Sequence, residues 1–219
     1  MRKLHAVSPN ELFVASGEYR YWRDDTQLPM TEKFTIHEIG EGAFLYRVDE
    51  DGREADGLTI LSEALISPDK QFERFNVQSY NPKDDVLQNF KADYTFNPDY
   101  VQIGRRLANN EREYDEFPLI EHCKVYIKQT VYMGLTIQHI LAGDSKSQVF
   151  APQLLSVDEN VLQKIIVEER GVEILQIGRR TLETQKYQIA DDVFYWLDQH
   201  NIPLQREYTH DGIKHLVKV

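Results

Sequence analysis

Cysteine is almost absent from this chain of 219 residues, because Cys123 is the only one. A single thiol forms no intramolecular disulfide, so a buried core has to stabilise the fold, and the composition favours a reducing compartment. A chain of this length buries roughly 70% of its unfolded surface, which is enough for such a core. We therefore predict a cytoplasmic protein with a single domain over residues 1–219.

Long hydrophobic runs and an excess of positive charge are also missing. No segment approaches the ~18 apolar residues that cross a bilayer, and no continuous apolar run follows the basic N-terminus as in a signal peptide. The 25 Lys and Arg stand against 36 Asp and Glu, which gives a net charge of −11. Because an acidic surface repels phosphates and anionic headgroups, we expect no binding to nucleic acid or to a membrane surface. The lack of long apolar runs predicts no integral membrane association. The oligomeric state is not indicated by any pattern.

The common catalytic and metal-binding motifs are missing as well. The sequence has no glycine-rich phosphate loop, no Gly-x-Ser-x-Gly nucleophile and no His or Cys pair at metal-ligand spacing. Cys123 falls on the apolar side of a predicted helix, where a buried small hydrophobe is the simpler interpretation. We therefore predict no catalytic residue, no metal and no cofactor.

Aromatic residues alternate with charged and amide residues along much of the chain, which is the period of a β-strand. Tyr19 and Tyr21 share one face of their segment, and Phe90, Tyr94 and Phe96 share one face of another. The pattern predicts strands at 18–24, 31–39, 43–48, 58–66, 71–80, 86–96, 161–169, 172–179, 184–189 and 193–198, and a final hairpin of 204–208 with 213–219.

One segment has a different period. Apolar residues recur at steps of three and four between 118 and 141, which predicts a helix that begins at Pro118, although 135–141 could also be a strand. The polar stretch 143–148 marks a possible boundary between halves 1–142 and 149–219. The predicted fold class is mainly β: a large, curved antiparallel half-barrel of two strand-rich halves, with one central helix covering its concave face.

The segment Gln-Ile-Gly-Arg-Arg occurs twice, at 102–106 and at 176–180. It indicates either a duplication or a coincidence on two similar strands. Strand alternation places Arg105 and Arg179 on the apolar side of each copy, where a guanidinium needs a partner. The partner is an acidic side chain or, alternatively, an anionic ligand held at the mouth of an aromatic cavity.

The aromatic face itself has two interpretations. It is either a packed core under the helix or, because one helix is thin cover for about ten strands, the lining of a cavity for a lipid-sized molecule. The predicted ligand-binding residues are Arg105, Arg179, Tyr19, Tyr21, Phe44, Tyr46, Phe90, Tyr94, Phe96 and Tyr195.

The C-terminal segment 194–212 contains Phe-Tyr-Trp-Leu-Asp, then Pro-Leu, a charged strand and His-Asp-Gly. It resembles the closing hairpin of half-barrel families related to LolA-like lipoprotein carriers and glycolipid-binding domains. The resemblance implies a curved antiparallel sheet around a helix-plugged hydrophobic cavity, and it supplies no catalytic residues. The carrier families act in the periplasm, whereas no export signal is predicted here.

The sequence thus favours non-enzymatic binding of a hydrophobic or amphipathic small molecule, such as a lipid or glycolipid. One alternative is an enzyme for an anionic substrate that uses Arg105, Arg179 and a carboxylate or His139. The other is a structural or interaction protein with a fully packed sheet.

Overall fold

The computed structural model describes residues 7–55, 57–80, 90–106, 111–143, 146–154, 161–189 and 191–219, and strands dominate it. The strands are β1 Leu12–Arg23, β2 Thr26–Glu38, β3 Phe44–Asp51, β4 Thr59–Ile66, β5 Phe72–Tyr80, β6 Phe90–Phe96, β7 Tyr100–Arg106, β8 Arg112–Pro118, β9 Lys124–Val125, β10 Lys146–Ala151, β11 Val161–Ile177, β12 Arg180–Ile189, β13 Val193–Leu197, β14 Pro203–His210 and β15 Ile213–Lys218. Helix α1, Thr130–Leu141, is the one helix of the described residues.

The strands form one sheet in the order β8-β7-β6-β5-β4-β3-β2-β1-β15-β14-β13-β12-β11-β10-β9. The short β9 pairs with β10 in parallel. Strand β11, on the other side of β10, pairs with it antiparallel, and so do the successive strands from β3 to β8 with one another. The predicted fold class is confirmed: the chain is mainly β, with its strands in one large sheet and a single helix in the part described.

Two compact units divide the chain. Unit 1 comprises Met1–Glu18, Thr31–Glu121 and Gln153–Glu159, and unit 2 comprises Tyr19–Met30, His122–Pro152 and Asn160–Val219. Strands β1 and β2 contribute residues to both units. The predicted division into halves 1–142 and 149–219 stays a prediction.

Unit 1 buries one face of its strands, because alternate residues carry the apolar side chains. In β4 the alternation holds from Ile60 onward: Ile60, Ala64 and Ile66 are buried, with Ser62 between them. The antiparallel register brings these residues opposite buried residues of β5, namely Ser79, Val77, Phe75 and Phe72, and brings Ser62 opposite the buried Val48 of β3. These buried residues form the core of unit 1.

Unit 2 contains the helix, which packs against β9, β10, β11 and β14. Helix and strands share an apolar cluster of Met133, Ile137, Ile140, Val149, Ile165, Val167, Tyr187, Ile189, Tyr195 and Leu197. Gly134 allows the helix backbone to lie close to the turn that contains Asn201, since a Cβ atom at position 134 would lie 1.8 Å from the carbonyl oxygen of Asn201. The absence of a side chain at this position therefore lets the β13–β14 turn cross the helix directly.

The final hairpin is confirmed. Asp211 and Gly212 form the two-residue turn between His210 and Ile213, and both have positive φ, at 51° and 76°. This is the geometry of a type I′ turn, for which Asp-Gly is a preferred sequence.

The predicted helix start is wrong. Pro118 ends β8, and the helix begins only at Thr130, after the short strand β9. Residues 135–141 are helical rather than extended. Cys123 is half-buried outside the helix, where burial raises the pKa of its thiol. The β-branched and aromatic content of 118–129 favours extended backbone over the helical period that this stretch also shows.

The two copies of Gln-Ile-Gly-Arg-Arg adopt different structures. The first lies within β7, whereas the second ends β11 at Ile177 and turns at Gly178, whose φ is +58°. Gly178 and Arg179 thus form the two-residue turn before Arg180, and the repeated segment marks no equivalent position. The break predicted near Gly171 is instead a bulge within the continuous strand β11. Strands β8, β9 and β10 were not predicted.

Candidate functional site

Five of the predicted aromatic residues lie in unit 1, and two of them share a row. Tyr46, Ala64, Phe75, Tyr94 and Ile103 lie opposite one another across β3 to β7. The hydroxyl of Tyr94 donates to the carbonyl of Gln153 at 3.1 Å. Burial raises the pKa of Tyr46 and of Tyr94 to about 12, so both phenols stay neutral.

The other three are packed in different ways. Phe90 is buried at the start of β6. Phe96 meets Phe72 edge to face, with 6.2 Å between ring centroids. Phe44 is half-buried, and the Nζ of Lys70 lies 3.5 Å from its ring centroid. Three cavities in unit 1, of about 480, 290 and 240 Å³, are lined by residues other than these aromatics.

The two predicted arginines have different environments. Arg105 is half-buried on the same side of β7 as Val101 and Ile103, as predicted, and its charge opposes the rise in the pKa of Tyr94. Arg179 is exposed at the turn after β11, because the chain reverses before alternation can carry its side chain inward. Their roles as ligand-binding residues stay a prediction.

Unit 2 brings two predicted residues onto a row that contains a third arginine. Tyr21, Val217, Arg206, Tyr195 and Tyr187 lie opposite one another across β1, β15, β14, β13 and β12. Tyr195 and Tyr187 belong to the apolar cluster of unit 2. The alternation of β14 therefore directs Arg206 to the core side of these strands.

Tyr19, the remaining predicted residue, has a structural role on the same face of β1 as Tyr21. Its side chain is completely buried, and its hydroxyl donates to the carbonyl of Pro203 at 2.8 Å. This bond fixes the start of β14, three residues before Arg206.

Phenol rings enclose the guanidinium of Arg206. Its central carbon lies 4.5 Å from the ring centroid of Tyr208 and 5.7 Å from that of Tyr195, within the range of cation–π attraction. Tyr21 and Tyr126 complete the set of neighbouring phenols. Burial is the largest influence and lowers the pKa of Arg206, whereas the four phenols raise it, and the net direction is upward. A phenol acts on a charge in this way only once it is ionised, well above pH 7, so it does not offset the cost of burial at neutral pH. The guanidinium itself stays charged, as arginine does in proteins.

No acidic residue of the described chain forms an ion pair with Arg206, and its buried Nε has no hydrogen-bond partner there. The adjacent carboxylate, that of Glu207, instead accepts the Nζ of Lys214 at 3.0 Å. A guanidinium has five N–H donors, and a buried one normally satisfies them with carboxylates or carbonyls. The residue as a whole is half-buried.

The next row of the same face contains an imidazole, that of His215, with Arg23 opposite it. His215 stacks on Tyr208, with 4.6 Å between ring centroids and 5° between ring planes. Burial and the charges of Arg23 and Arg206 lower the pKa of His215. The neutral imidazole then adds a donor or an acceptor beside the guanidinium, and Arg23 adds a second positive charge nearby.

Sequence analysis identified Tyr21 and Tyr195 but missed Arg206, Tyr126 and Tyr208. The signal was available in β14, where Leu204, Arg206 and Tyr208 alternate with Gln205 and Glu207. This pattern places Arg206 between two inward-facing residues. The prediction instead selected Arg105 and Arg179, because they belong to the repeated Gln-Ile-Gly-Arg-Arg segment.

Other kinds of site receive no support from the described residues. They contain no group of three His, Cys, Asp or Glu side chains able to hold a metal ion. None of the helices in this part of the chain is long and apolar enough to cross a membrane.

Comparison with known proteins gives a fold and no function. No protein-family model matches the chain, and no curated protein matches it. Among solved structures, the chain is similar to the crystal structure of a beta-barrel-like protein of domain of unknown function DUF1849 from Brucella abortus. The two share 9% sequence identity with a TM-score of 0.54, and the match covers 93% of this chain and 94% of that one. The chain therefore has a beta-barrel-like fold.

Proposed function

We propose that this protein binds a small amphipathic molecule without chemical conversion, and that Arg206 receives the anionic group of that molecule. Of the functions predicted from the sequence, this is the one that a specific observation favours. That observation is the half-buried guanidinium of Arg206, which lies beside the rings of Tyr195 and Tyr208 and whose buried Nε has no hydrogen-bond partner in the described chain.

The surrounding residues match the two parts of such a ligand. A carboxylate or phosphate accepts two parallel N–H groups from a guanidinium, which makes the interaction directional as well as strong. The half-buried ring of Tyr208 offers apolar surface to the body of the molecule, and its hydroxyl is a hydrogen-bonding group for the polar head. The resemblance of segment 194–212 to LolA-like and glycolipid-binding families supports an amphipathic ligand of this kind.

Paired ligands and paired variants test the proposal. Decanoate and decanol share a carbon chain and differ in charge, so calorimetric titration of each isolates the contribution of the anionic group. Wild-type protein is expected to bind decanoate at least tenfold more tightly than decanol. Arg206→Gln is expected to weaken decanoate binding by about 10–100-fold, because a charged hydrogen bond contributes about 1.5–3 kcal/mol.

Arg179→Gln is the matched control, since it removes the same charge from an exposed turn. We expect it to bind decanoate like the wild type. Equal affinity for decanol and decanoate in the wild type, or unchanged decanoate binding in Arg206→Gln, would contradict the proposal. Cell fractionation tests the cytoplasmic location that we predict from the sequence.

A further inference from the structure

Three positive residues lie in one row on the exposed side of unit 1. The register places Lys91 of β6 opposite Arg106 of β7, and Arg106 opposite Arg112 of β8. All three are exposed, and none forms an ion pair with a carboxylate within the described segments. Like charges directly opposite each other on a sheet repel. In a chain with a net charge of −11, this row is a local site for an anion.

The next row of the same face leaves space beside these charges, because its middle residue is a glycine. Gly104 lies between Asp93 and Tyr114, so the middle strand contributes no side chain. A Cβ atom at Gly104 would lie 3.5 Å from Cε1 of Tyr114, which shows that the ring lies against the glycine backbone. Tyr114 nevertheless remains 77% exposed. Much of its ring surface is therefore free to stack on a ligand.

Two adjoining cavities occupy this surface and share Asp93, Gly104 and Tyr114. The smaller, of about 240 Å³, extends over the three positive residues and is also lined by Arg105. The larger, of about 480 Å³, extends in the other direction over polar and acidic side chains, namely Thr95, Gln102, Asp115 and Glu116. The combined trough thus has a basic end, an aromatic middle and an end rich in hydrogen-bond acceptors.

We propose that this trough binds a phosphorylated sugar. The phosphate lies at the basic end, where Arg106 and Arg112 offer paired N–H donors and Lys91 adds a third charge. The C–H face of the sugar ring packs on Tyr114, whose negative ring face attracts polarised hydrogens. The hydroxyl groups donate to the carboxylates of Asp93 and Glu116. These carboxylates would repel a second phosphate, so the body of the ligand is uncharged.

This site is distinct from the one proposed at Arg206, since it lies in the other unit and selects a hydrophilic rather than an amphipathic ligand. Its failure would leave the decanoate experiment unaffected. Likewise, a failure of the decanoate experiment would leave the proposal for the trough unaffected.

Calorimetric titrations with glucose 6-phosphate, glucose and inorganic phosphate test the proposal. The wild type is expected to bind glucose 6-phosphate at least tenfold more tightly than either of the others, because only that compound occupies both ends of the trough. The triple variant Lys91→Gln, Arg106→Gln, Arg112→Gln is expected to lose this binding. Tyr114→Ala is expected to lose the preference for glucose 6-phosphate over inorganic phosphate.

Lys164→Gln is the control, because Lys164 is an exposed charge on β11 in unit 2. It should bind glucose 6-phosphate like the wild type, and the melting temperatures of all variants confirm that they are folded. Three results would overturn the proposal: no binding of glucose 6-phosphate by the wild type, equal binding of inorganic phosphate, or unchanged binding by the triple variant.

Discussion

Replacing Arg206 by methionine should stabilise the protein while it removes the proposed anion site. Arg206 makes no ion pair in the described chain, and its Nε has no hydrogen-bond partner there, so Arg206→Met breaks no such contact. It does remove cation–π attraction to Tyr208 at 4.5 Å and Tyr195 at 5.7 Å, worth together about 1–2 kcal/mol. Against this loss stands the desolvation of an unpaired guanidinium, which costs several kcal/mol. Methionine also keeps most of the apolar contact of the arginine stem.

The net expectation is a gain of about 1–2 kcal/mol in the free energy of unfolding of the ligand-free protein, with a rise in Tm of roughly 2–8 °C for a chain of this size. Thermal melting followed by circular dichroism measures the change. A fall in Tm of more than a few degrees would refute the reasoning, because it would show that Arg206 stabilises the fold through contacts of its own.

The same substitution at Arg47 is the informative comparison. Its Nη1 and Nη2 donate to the two oxygens of Glu11 at 2.6 and 2.9 Å, and its Nε donates to Glu63 at 2.8 Å. Arg47→Met leaves both carboxylates without this partner, so we expect a loss of about 3 kcal/mol. The two arginine variants should therefore shift Tm in opposite directions. Parallel shifts would mean that burial alone, and not pairing, determines the effect.

Further predictions concern packing, pH and turn geometry. Gly134→Ala places a methyl group 1.8 Å from the carbonyl oxygen of Asn201, and we expect a loss of up to about 3 kcal/mol in urea denaturation; a loss under 0.5 kcal/mol would contradict the close approach. Arg47 lowers the pKa of Glu11 from 4.5 to about 2, so its contribution to stability is complete above pH 4.5 and is lost as the pH falls towards 2. The Tm difference between wild type and Glu11→Gln should accordingly shrink over that interval, and a constant difference would argue against the ion pair. Gly212→Ala should cost about 1–2 kcal/mol, because alanine adopts the φ of 76° only with strain; an unchanged Tm would contradict the turn type.

Local patterns were sufficient to predict most strands. Alternation in 58–66 and 71–80 corresponds closely to β4 and β5, and the turn residues 209–212 predicted the final hairpin, whose two-residue turn the structure places at Asp211 and Gly212. These features depend on backbone sterics and on which side chains avoid water, and residues that are neighbours in the sequence determine both. The fold class followed from the number of such segments.

The helix start was not predictable from the same information. Residues 118–129 satisfy a helical period and a strand composition at once, and only the pairing of Lys124 and Val125 with β10 selects the extended backbone. The two copies of Gln-Ile-Gly-Arg-Arg also depend on strand pairing for their structure. Identical residues lie within one strand in the first copy and span a turn between two strands in the second, so the partners of each segment decide its structure.

The sequence alone determined that this protein is acidic, rich in strands and provided with aromatic residues on alternating positions. Only the tertiary structure decided which arginine those aromatics enclose. Tyr21 on β1 and Tyr195 on β13 are distant in the chain from each other, and strand order and register bring them to one face with Arg206 and Tyr208 of β14. Tyr126, which follows β9, joins them near the guanidinium. Whether an arginine has a partner depends on distances across strands, and these arise only when the sheet has formed.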